Sequence, residues 1–160
     1  MAKISIIMGS KSDFETVKEA VSVLKELKVD FEVRVLSAHR TPYELSQYVE
    51  AASERATKVF IAAAGGAAAL AGVIAAHTIL PVIGIPIETS SLKGMDSLLS
   101  TVQMPGGVPV ASMAIGKAGA KNAALFALAI LALSDTKIKA KIVKYKQQMR
   151  RKIKQIRINL

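Results

Sequence analysis

The sequence predicts an α/β fold in which helices cover both faces of a parallel sheet. Apolar runs of strand length alternate with helical patterns, and short connections join them, which is typical of this class. Half of the 160 residues are apolar, yet only seven are aromatic and none is Trp. The core must therefore be built from Ala, Ile, Val and Leu, which suits helices packed closely on a parallel sheet. This length predicts one domain with a sizeable core.

The first two strand–helix units lie near the amino terminus. The apolar run 4–8 predicts a strand. Residues 13–27 predict an amphipathic helix, because apolar side chains recur at helical spacing at Phe14, Val17, Val21, Leu24 and Leu27. A second apolar run, 31–36, predicts the next strand, and we expect a helix to follow it over residues 42–55.

The same alternation continues along the chain. Residues 58–63 predict a third strand, and Gly65-Gly66 separates it from an Ala-rich helix that ends near Thr78. The remaining expected elements are a strand at 82–86, a short helix at 96–103, a strand at 108–115 and a long helix at 118–133. The stretch 59–76 carries no charge. A membrane span is nevertheless not predicted, because the glycine pair splits this stretch and alanine gains little from lipid.

The positive charge of the chain is concentrated in its last 25 residues. The net charge is +10, but residues 1–135 contain twelve Lys or Arg and twelve Asp or Glu, whereas residues 136–160 contain ten Lys or Arg and no acid. Apolar side chains in this tail recur at spacings of three and four, at Ile138, Ile142, Tyr145, Met149, Ile153, Ile156 and Leu160. We therefore predict a single α/β catalytic domain over 1–135, and over 136–160 a basic helix that packs on the core or on a neighbouring subunit.

A basic amphipathic helix can also bind a membrane surface or an acidic partner. We predict neither membrane nor nucleic-acid binding, since the apolar stripe requires burial and the rest of the chain has no nucleic-acid motif. The chain contains no Cys, and the apolar run 4–8 is too short for a signal peptide. Both observations fit a cytoplasmic protein.

The loop Gly9-Ser10-Lys11-Ser12-Asp13 follows the first strand. Loops at the carboxyl ends of parallel strands share one edge of the sheet, and ligands bind there near a switch in strand order. The helix N-terminus offers free N–H groups, and Ser10 and Ser12 add hydroxyl donors, so this loop suits a phosphate. The alternative is a purely structural capping box formed by Ser12 and Glu15. The spacing matches neither a Walker loop nor a dinucleotide fingerprint.

The segment 37–42, Ser-Ala-His-Arg-Thr-Pro, places an imidazole beside a guanidinium. A capped helix start explains part of it, with Thr41 as the N-cap, Pro42 in the first helical position and Glu44 completing a capping box. That explanation does not account for His39 or Arg40. Arg40 can bind a phosphate through two parallel hydrogen bonds. His39 is one of only two histidines in the chain, and a neutral imidazole in a loop can accept a proton and return it.

The third loop, residues 62–68, consists only of Ala and Gly. A planar ligand or a small gas molecule could lie directly against this backbone, although small residues equally permit tight helix–sheet packing. The three loops together predict a phosphate site, a proton carrier and a small apolar floor. They contain neither an acidic cluster suited to a metal nor a Ser-His-Asp set. Proton chemistry without a metal, on a small phosphorylated molecule, is the function that remains.

These segments closely resemble the family of 5-(carboxyamino)imidazole ribonucleotide mutases of purine biosynthesis. The resemblance covers residues 3–133. It rests on Gly-Ser-Lys-Ser-Asp at 9–13, Ser-Ala-His-Arg-Thr-Pro at 37–42, Gly-Gly-Ala-Ala at 65–68, Pro-Val-Ile-Gly-Ile-Pro at 81–86, Asp-Ser-Leu at 96–98, Gln-Met-Pro-Gly-Gly-Val-Pro-Val at 103–110 and Ala-Ile-Gly-Lys-Ala-Gly-Ala-Lys-Asn-Ala at 114–123.

The resemblance implies a flavodoxin-like three-layer α/β/α sandwich, assembled as a homo-octamer with active sites at subunit junctions. It implies an isomerase that uses no metal or organic cofactor and moves a carboxylate from the exocyclic nitrogen of the aminoimidazole ribonucleotide to ring carbon 4. In the family mechanism the substrate loses carbon dioxide, which stays trapped while carbon 4 attacks it. The residues that match the family's site are His39 as the proton carrier, Ser10, Ser12 and Arg40 on the phosphate, Asp13 on the ribose, and Ser37, Ala64, Gly65 and Gly66 around the remainder of the substrate.

The sequence departs from the family pattern at two positions of the glycine loop. The family usually has a histidine where this chain has Ala69, and a proline where it has Ala71. Two alternatives stay open beside the mutase, and the altered loop bears on the second of them. One is a related enzyme that carboxylates aminoimidazole ribonucleotide directly with carbon dioxide, and the other is a flavodoxin-like nucleotide-binding module without catalysis. A flavin carrier is disfavoured, because few aromatic side chains are available to stack on the ring.

Overall fold

The computed structural model describes residues 2–158, and its five strands form one sheet in which all neighbours are parallel. The strands are β1 (Ile4–Met8), β2 (Phe31–Val35), β3 (Val59–Ala64), β4 (Val82–Pro86) and β5 (Ala111–Ser112). Their order is β2-β1-β3-β4-β5, the flavodoxin-like arrangement, with the switch in strand order between β1 and β3. The predicted fold class is confirmed.

Within residues 2–158, six α-helices accompany the strands: α1 (Phe14–Glu26), α2 (Pro42–Glu54), α3 (Leu70–Ala76), α4 (Met95–Val102), α5 (Gly116–Leu131) and α6 (Thr136–Gln155). Helices α1 and α5 pack on one face of the sheet, and α2 and α3 pack on the other. Successive strand residues alternate between these two cores, so Ile6 lies against α1 and α5 while Ile7 lies on the opposite face. Both faces are therefore covered, and β1, β3 and β4 are almost entirely buried.

Alanine lets the helices approach the sheet closely. Helix α5 buries Ala120, Ala123, Ala124 and Ala127 against the sheet and α1. The core consists mainly of Ala, Ile, Val and Leu, as predicted, and Phe60 is the one aromatic among the fully buried side chains of residues 2–158.

The structure corrects the predicted fifth strand. Only Ala111 and Ser112 pair with β4, whereas residues 108–115 were expected to form the strand. Pro105 and Pro109 cannot donate to a ladder, and the N–H of Val108 closes a turn onto the carbonyl of Pro105 (3.2 Å). The segment before residue 111 is therefore a turn and an irregular stretch.

The tail forms helix α6, as predicted, but its apolar stripe is only partly buried. Ile138 is 4% exposed, and Ile142 packs against the core of α1 and α5. Beyond Tyr145 the helix leaves the domain, so Met149 is 53% exposed and Ile153 is 66% exposed. Ile156 lies just after the last helical residue, and Leu160 falls outside the described residues. Within residues 2–158, no helix has the length and apolar character needed to span a bilayer.

Candidate functional site

The loops that follow β1, β2 and β3 meet at the carboxyl edge of the sheet, around the switch in strand order. Gly9 is hydrogen-bonded through its N–H to the carbonyl of Ala63 (3.1 Å), which joins the first loop to the end of β3. The Arg40 Nη2 donates to the carbonyl of Gly9 (2.8 Å), which joins the second loop to the first. The structure therefore brings the three predicted loops to one edge.

Ser10, Ser12 and Asp13 form one hydrogen-bonded network at the start of the first helical turn. The Ser10 N–H donates to Asp13 Oδ2 (3.0 Å), and the Ser12 hydroxyl donates to Ser10 Oγ (2.8 Å). The capping box is thus Ser10 with Asp13, and not the Ser12–Glu15 pair considered from sequence. Glu15 instead pairs with Lys18 on the helix surface. All three predicted ligand residues take part in the cap, which the sequence argument did not anticipate.

Asp13 is the buried acid of this network, with 8% of its surface exposed. Burial raises the pKa of its carboxyl above the ordinary value of 3.8, while the Ser10 N–H, the Ser12 hydroxyl and the nearby Arg40 guanidinium oppose that rise. A carboxyl in this position can accept hydrogen bonds from ligand hydroxyls.

The second loop orients Arg40. The Arg40 N–H donates to Ser37 Oγ (3.2 Å), and its Nε approaches the same oxygen at 3.5 Å. Thr41 is the N-cap of α2 and Pro42 occupies its first position, as predicted. The expected capping box with Glu44 is absent, because the Thr41 hydroxyl instead accepts from the Ser37 N–H (2.8 Å) and donates to the Ser37 carbonyl (3.1 Å). Thr41 therefore closes the loop that carries His39 and Arg40.

The two histidines lie in different surroundings. His39 is exposed at the site edge, and its ring makes no hydrogen bond to any residue within 2–158. His77 lies at the C-terminal end of α3, away from the carboxyl edge of the sheet, and its Nδ1 lies 3.4 Å from Glu50 Oε1. Of the two, only His39 is placed to meet a ligand at the carboxyl edge.

The third loop runs from Ala64 through the glycine pair. Its start is fixed to the end of β4 by the Ile87 N–H, which donates to the carbonyl of Ala64 (2.9 Å). Gly66 has a φ of +68°, which favours glycine. No protein acceptor within the described chain receives a hydrogen bond from the N–H of Gly65 or Ala67. These two amides are available to a bound anion.

The two departures from the family pattern occupy different environments. Ala69 is half-buried at the N-cap of α3, where it makes no side-chain cap. Ala71 is buried in the core between α2, α3 and the sheet. A side chain introduced at position 69 can therefore reach the site edge more easily than one introduced at position 71.

Helix α4 contributes a contact that the sequence argument did not assign. The buried hydroxyl of Ser97 accepts from the Gly66 N–H (3.0 Å) and donates to the carbonyl of Ile87 (2.7 Å). The Ser100 hydroxyl donates to the carbonyl of Asp96 within the helix (2.8 Å) and lies 3.3 Å from the carbonyl of Gly66. The available signal was a serine in a short helix of mixed polarity, but serines are common in helices and the signal is weak.

The charged groups of this edge suit an anion. Arg40 is exposed beside the first loop, and no group of three His, Asp or Glu side chains within residues 2–158 is placed to hold a metal ion. A cavity of about 710 Å³ lies elsewhere, at the amino edge of the sheet, lined by Lys3, Lys58, Pro81 and Ile130 among others. None of the predicted site residues lines that cavity.

Comparison with known proteins extends this description. The sequence model of a family described as AIR carboxylase matches residues 3–152. The chain is 55% identical to an N5-carboxyaminoimidazole ribonucleotide mutase of Pyrococcus abyssi, over 94% of this chain and 86% of the relative. It is 52% identical to the mutase of the same name from Saccharolobus solfataricus, over 99% of both. The crystal structure of Treponema denticola PurE superposes with a TM-score of 0.84 at 29% identity, covering 94% of this chain and 92% of that one.

Proposed function

The chain belongs to the AIR carboxylase family, and from that membership we propose that it is a mutase of purine biosynthesis. It would convert 5-(carboxyamino)imidazole ribonucleotide to 4-carboxy-5-aminoimidazole ribonucleotide, an isomerisation. The observation that carries this proposal is the identity of 52% over 99% of both chains to a relative named as that mutase. The similarity covers the whole α/β domain and every loop of the site.

The proposed reaction begins when the bond between the exocyclic nitrogen and the carboxylate breaks and releases carbon dioxide. The electron pair of that bond enriches ring carbon 4, which attacks the trapped carbon dioxide. His39 then removes the proton from carbon 4, while the exocyclic nitrogen, which lost the carboxylate, takes up one proton and becomes the amino group of the product. In the reverse direction His39 returns the proton to carbon 4. A closed, dry cavity favours this sequence because carbon dioxide must not escape before the new bond forms.

The proposed substrate contacts assign a role to each residue that matches the family's site, and the meeting of the three loops at one edge supports them. Ser10, Ser12 and Arg40 bind the phosphate, and Asp13 accepts from the ribose hydroxyls. Ser37 holds Arg40 in position. The segment Ala64-Gly65-Gly66 lines the imidazole and carbon dioxide pocket, and the free amides of Gly65 and Ala67 can stabilise carboxylate charge.

The proposed assembly is a homo-octamer in the cytoplasm, with sites at subunit junctions. Two apolar surfaces support association with further copies. The outer face of α4 exposes Met95, Leu99 and Val102, each about half exposed, and the outer half of α6 exposes Met149 and Ile153. Apolar stripes of this kind mark interaction surfaces in soluble proteins. The proposed function involves no nucleic acid and no membrane partner.

An absorbance assay that follows interconversion of the two carboxylated ribonucleotides tests the function. The purified protein is given 5-(carboxyamino)imidazole ribonucleotide in one reaction, and aminoimidazole ribonucleotide with bicarbonate in another. A mutase turns over the first substrate and leaves the second nearly unchanged. Efficient use of the second substrate would identify the direct carboxylase instead, and binding without turnover of either would identify a nucleotide-binding module.

A further inference from the structure

We propose that Ser97 is a positioning residue, which fixes the Gly65-Gly66 turn from helix α4. This inference rests on the proposed function, because it assigns that turn to the carbon dioxide pocket. Ser97 is fully buried, and both hydrogen-bonding roles of its hydroxyl are used. It accepts from the Gly66 N–H and donates to the carbonyl of Ile87, so one oxygen joins the loop after β3 to the loop after β4.

The Gly66 peptide is held on both sides. Its N–H donates to Ser97 Oγ (3.0 Å), and its carbonyl accepts from the Ala68 N–H (2.8 Å). The backbone of Gly66 needs this support because a left-handed glycine has more conformational freedom than any other residue. A Cβ at Gly66 would meet no atom within 4 Å, so packing around the turn does not fix it. The Ser97 hydroxyl, together with the local hydrogen bond from Ala68, supplies the constraint.

Helix α4 is itself anchored where it begins. The Thr89 hydroxyl donates to both carboxylate oxygens of Asp96, at 2.8 and 3.0 Å, and accepts from the Gly94 N–H at 3.3 Å. Asp96 precedes Ser97 directly, so the β4–α4 loop sets the position of the serine. The chain of contacts therefore runs from the end of β4 through α4 to the Gly66 peptide.

The consequence for the reaction lies in the neighbouring amides. Because the Gly66 N–H is occupied by Ser97, the amides left for the substrate carboxylate are those of Gly65 and Ala67, on either side of it. Their direction depends on the orientation of the Gly66 peptide between them. Loss of the Ser97 hydroxyl leaves the Gly66 N–H without its acceptor and frees the peptide to rotate. Carbon dioxide is then held less firmly while phosphate binding is maintained.

Ser97→Ala tests the proposal, with Thr101→Val as a matched control. Thr101 lies one turn later on α4, is also buried, and donates only to the carbonyl of Ser97 inside the helix. Both variants remove one buried hydroxyl from the same helix, and only the first touches Gly66. Ser97→Cys, which keeps the side-chain volume but accepts hydrogen bonds weakly, serves if the alanine variant does not fold.

The first measurement is hydrogen exchange at the Gly66 amide, which needs no turnover. We expect exchange at least about tenfold faster in Ser97→Ala than in the parent, and little change in Thr101→Val. The second uses substrate labelled in the carboxylate. We expect kcat lower by about tenfold with KM nearly unchanged, and a larger share of label lost to solution as carbon dioxide.

If the Gly66 amide exchanges at the same rate in Ser97→Ala as in the parent, the Ser97 hydroxyl does not constrain the turn and the proposal is wrong. Faster exchange with the same label retention as Thr101→Val would overturn the positioning role. An inactive parent protein would contradict the proposed function, and the exchange result would still decide whether Ser97 constrains the turn.

Discussion

Among single side chains, His39 carries the sharpest expectation. Because its ring is exposed and makes no hydrogen bond within residues 2–158, His39→Asn should fold normally and still bind nucleotide. Turnover should fall by at least about a hundredfold, the scale of a lost general acid–base. His77→Asn is the matched control, since it removes the other histidine far from the site and should leave turnover unchanged. Near-normal turnover of the His39 variant would contradict the assignment.

Asp13 should reveal a conflict between stability and binding. Since burial raises the pKa of this carboxyl in the folded state, its ionised form destabilises folding, and stability from this group falls as pH rises through the raised pKa. Asp13→Asn retains an oxygen to accept from the Ser10 N–H and cannot ionise. We expect the variant to be more stable than the parent near pH ~7, with an advantage that shrinks toward pH ~4.

Urea unfolding across this pH range measures the stability difference, and calorimetry measures nucleotide affinity. The affinity should fall in Asp13→Asn, because the variant loses the charge proposed to accept from the ribose hydroxyls. If the difference in unfolding free energy between Asp13→Asn and the parent does not change with pH, burial does not raise the pKa of this carboxyl.

Ala69 should modulate the proposed chemistry without replacing its proton carrier. The residue is half-buried at the start of α3, where a longer side chain can reach the site edge. Ala69→His should raise catalytic efficiency or increase retention of labelled carbon dioxide, while His39 remains essential. The test compares label retention in the parent, in Ala69→His and in the double variant that also lacks His39. If the parent is inactive and the Ala69→His variant is active, a histidine at position 69 is required for turnover.

At the scale of elements, the Asp135 cap should govern the start of α6. Its carboxylate accepts from the N–H groups of Lys137 and Ile138, and it pairs with Lys3 at 2.9 Å. Lys3, and then the Ile138 N–H, lower the pKa of Asp135. The stability it supplies is therefore present above its ordinary pKa and is lost as pH falls through the lowered value.

Asp135→Ala should lower the Tm more than Asp135→Asn, because asparagine still caps the helix and loses only the charge that faces Lys3. The gap in Tm between the parent and either variant should narrow in acid. Equal effects of the two substitutions would mean that the ion pair, and not the cap, holds α6 to the domain.

The regular elements were predictable because their signals are local. Strands β1 and β4 matched their expected limits, since an apolar run between turn residues suffices to define a buried strand. The caps were harder. Ser10, Ser12 and Glu15 offer several chemically equivalent bonds, and tertiary contacts decide among them. The role of Ser97 could not be predicted from sequence for a similar reason, because its partner Gly66 lies 31 residues away along the chain.

At the scale of the whole molecule, the two halves of α6 should have separable roles. Removing residues 136–160 takes Ile138 from the core, and burial of such a side chain stabilises by about 1.5–3 kcal/mol, so the Tm should fall. Removing only 147–160 leaves that contact intact and deletes the exposed Met149 and Ile153. This shorter truncation should reduce the number of subunits in the assembly, and it should lower the Tm less than the longer truncation does.

Light scattering and thermal unfolding of the two truncations separate these effects. If the assembly keeps the same number of subunits after the shorter truncation, the outer half of α6 does not join subunits. Tight DNA or RNA binding by the intact protein, weakening steeply with salt, would assign the cationic surface to nucleic acid instead.

The attachment of the Gly66 peptide to α4 also bears on how this site can diverge over evolution. The hydrogen bond from the Gly66 N–H goes to Ser97, outside α3, so this contact does not depend on which side chains begin α3. Position 69, which is only half-buried, can therefore change without loss of the hydrogen bond that holds the turn beside it. Substitutions at the start of α3 can therefore alter substrate binding, while the contact from α4 preserves the conformation of the turn.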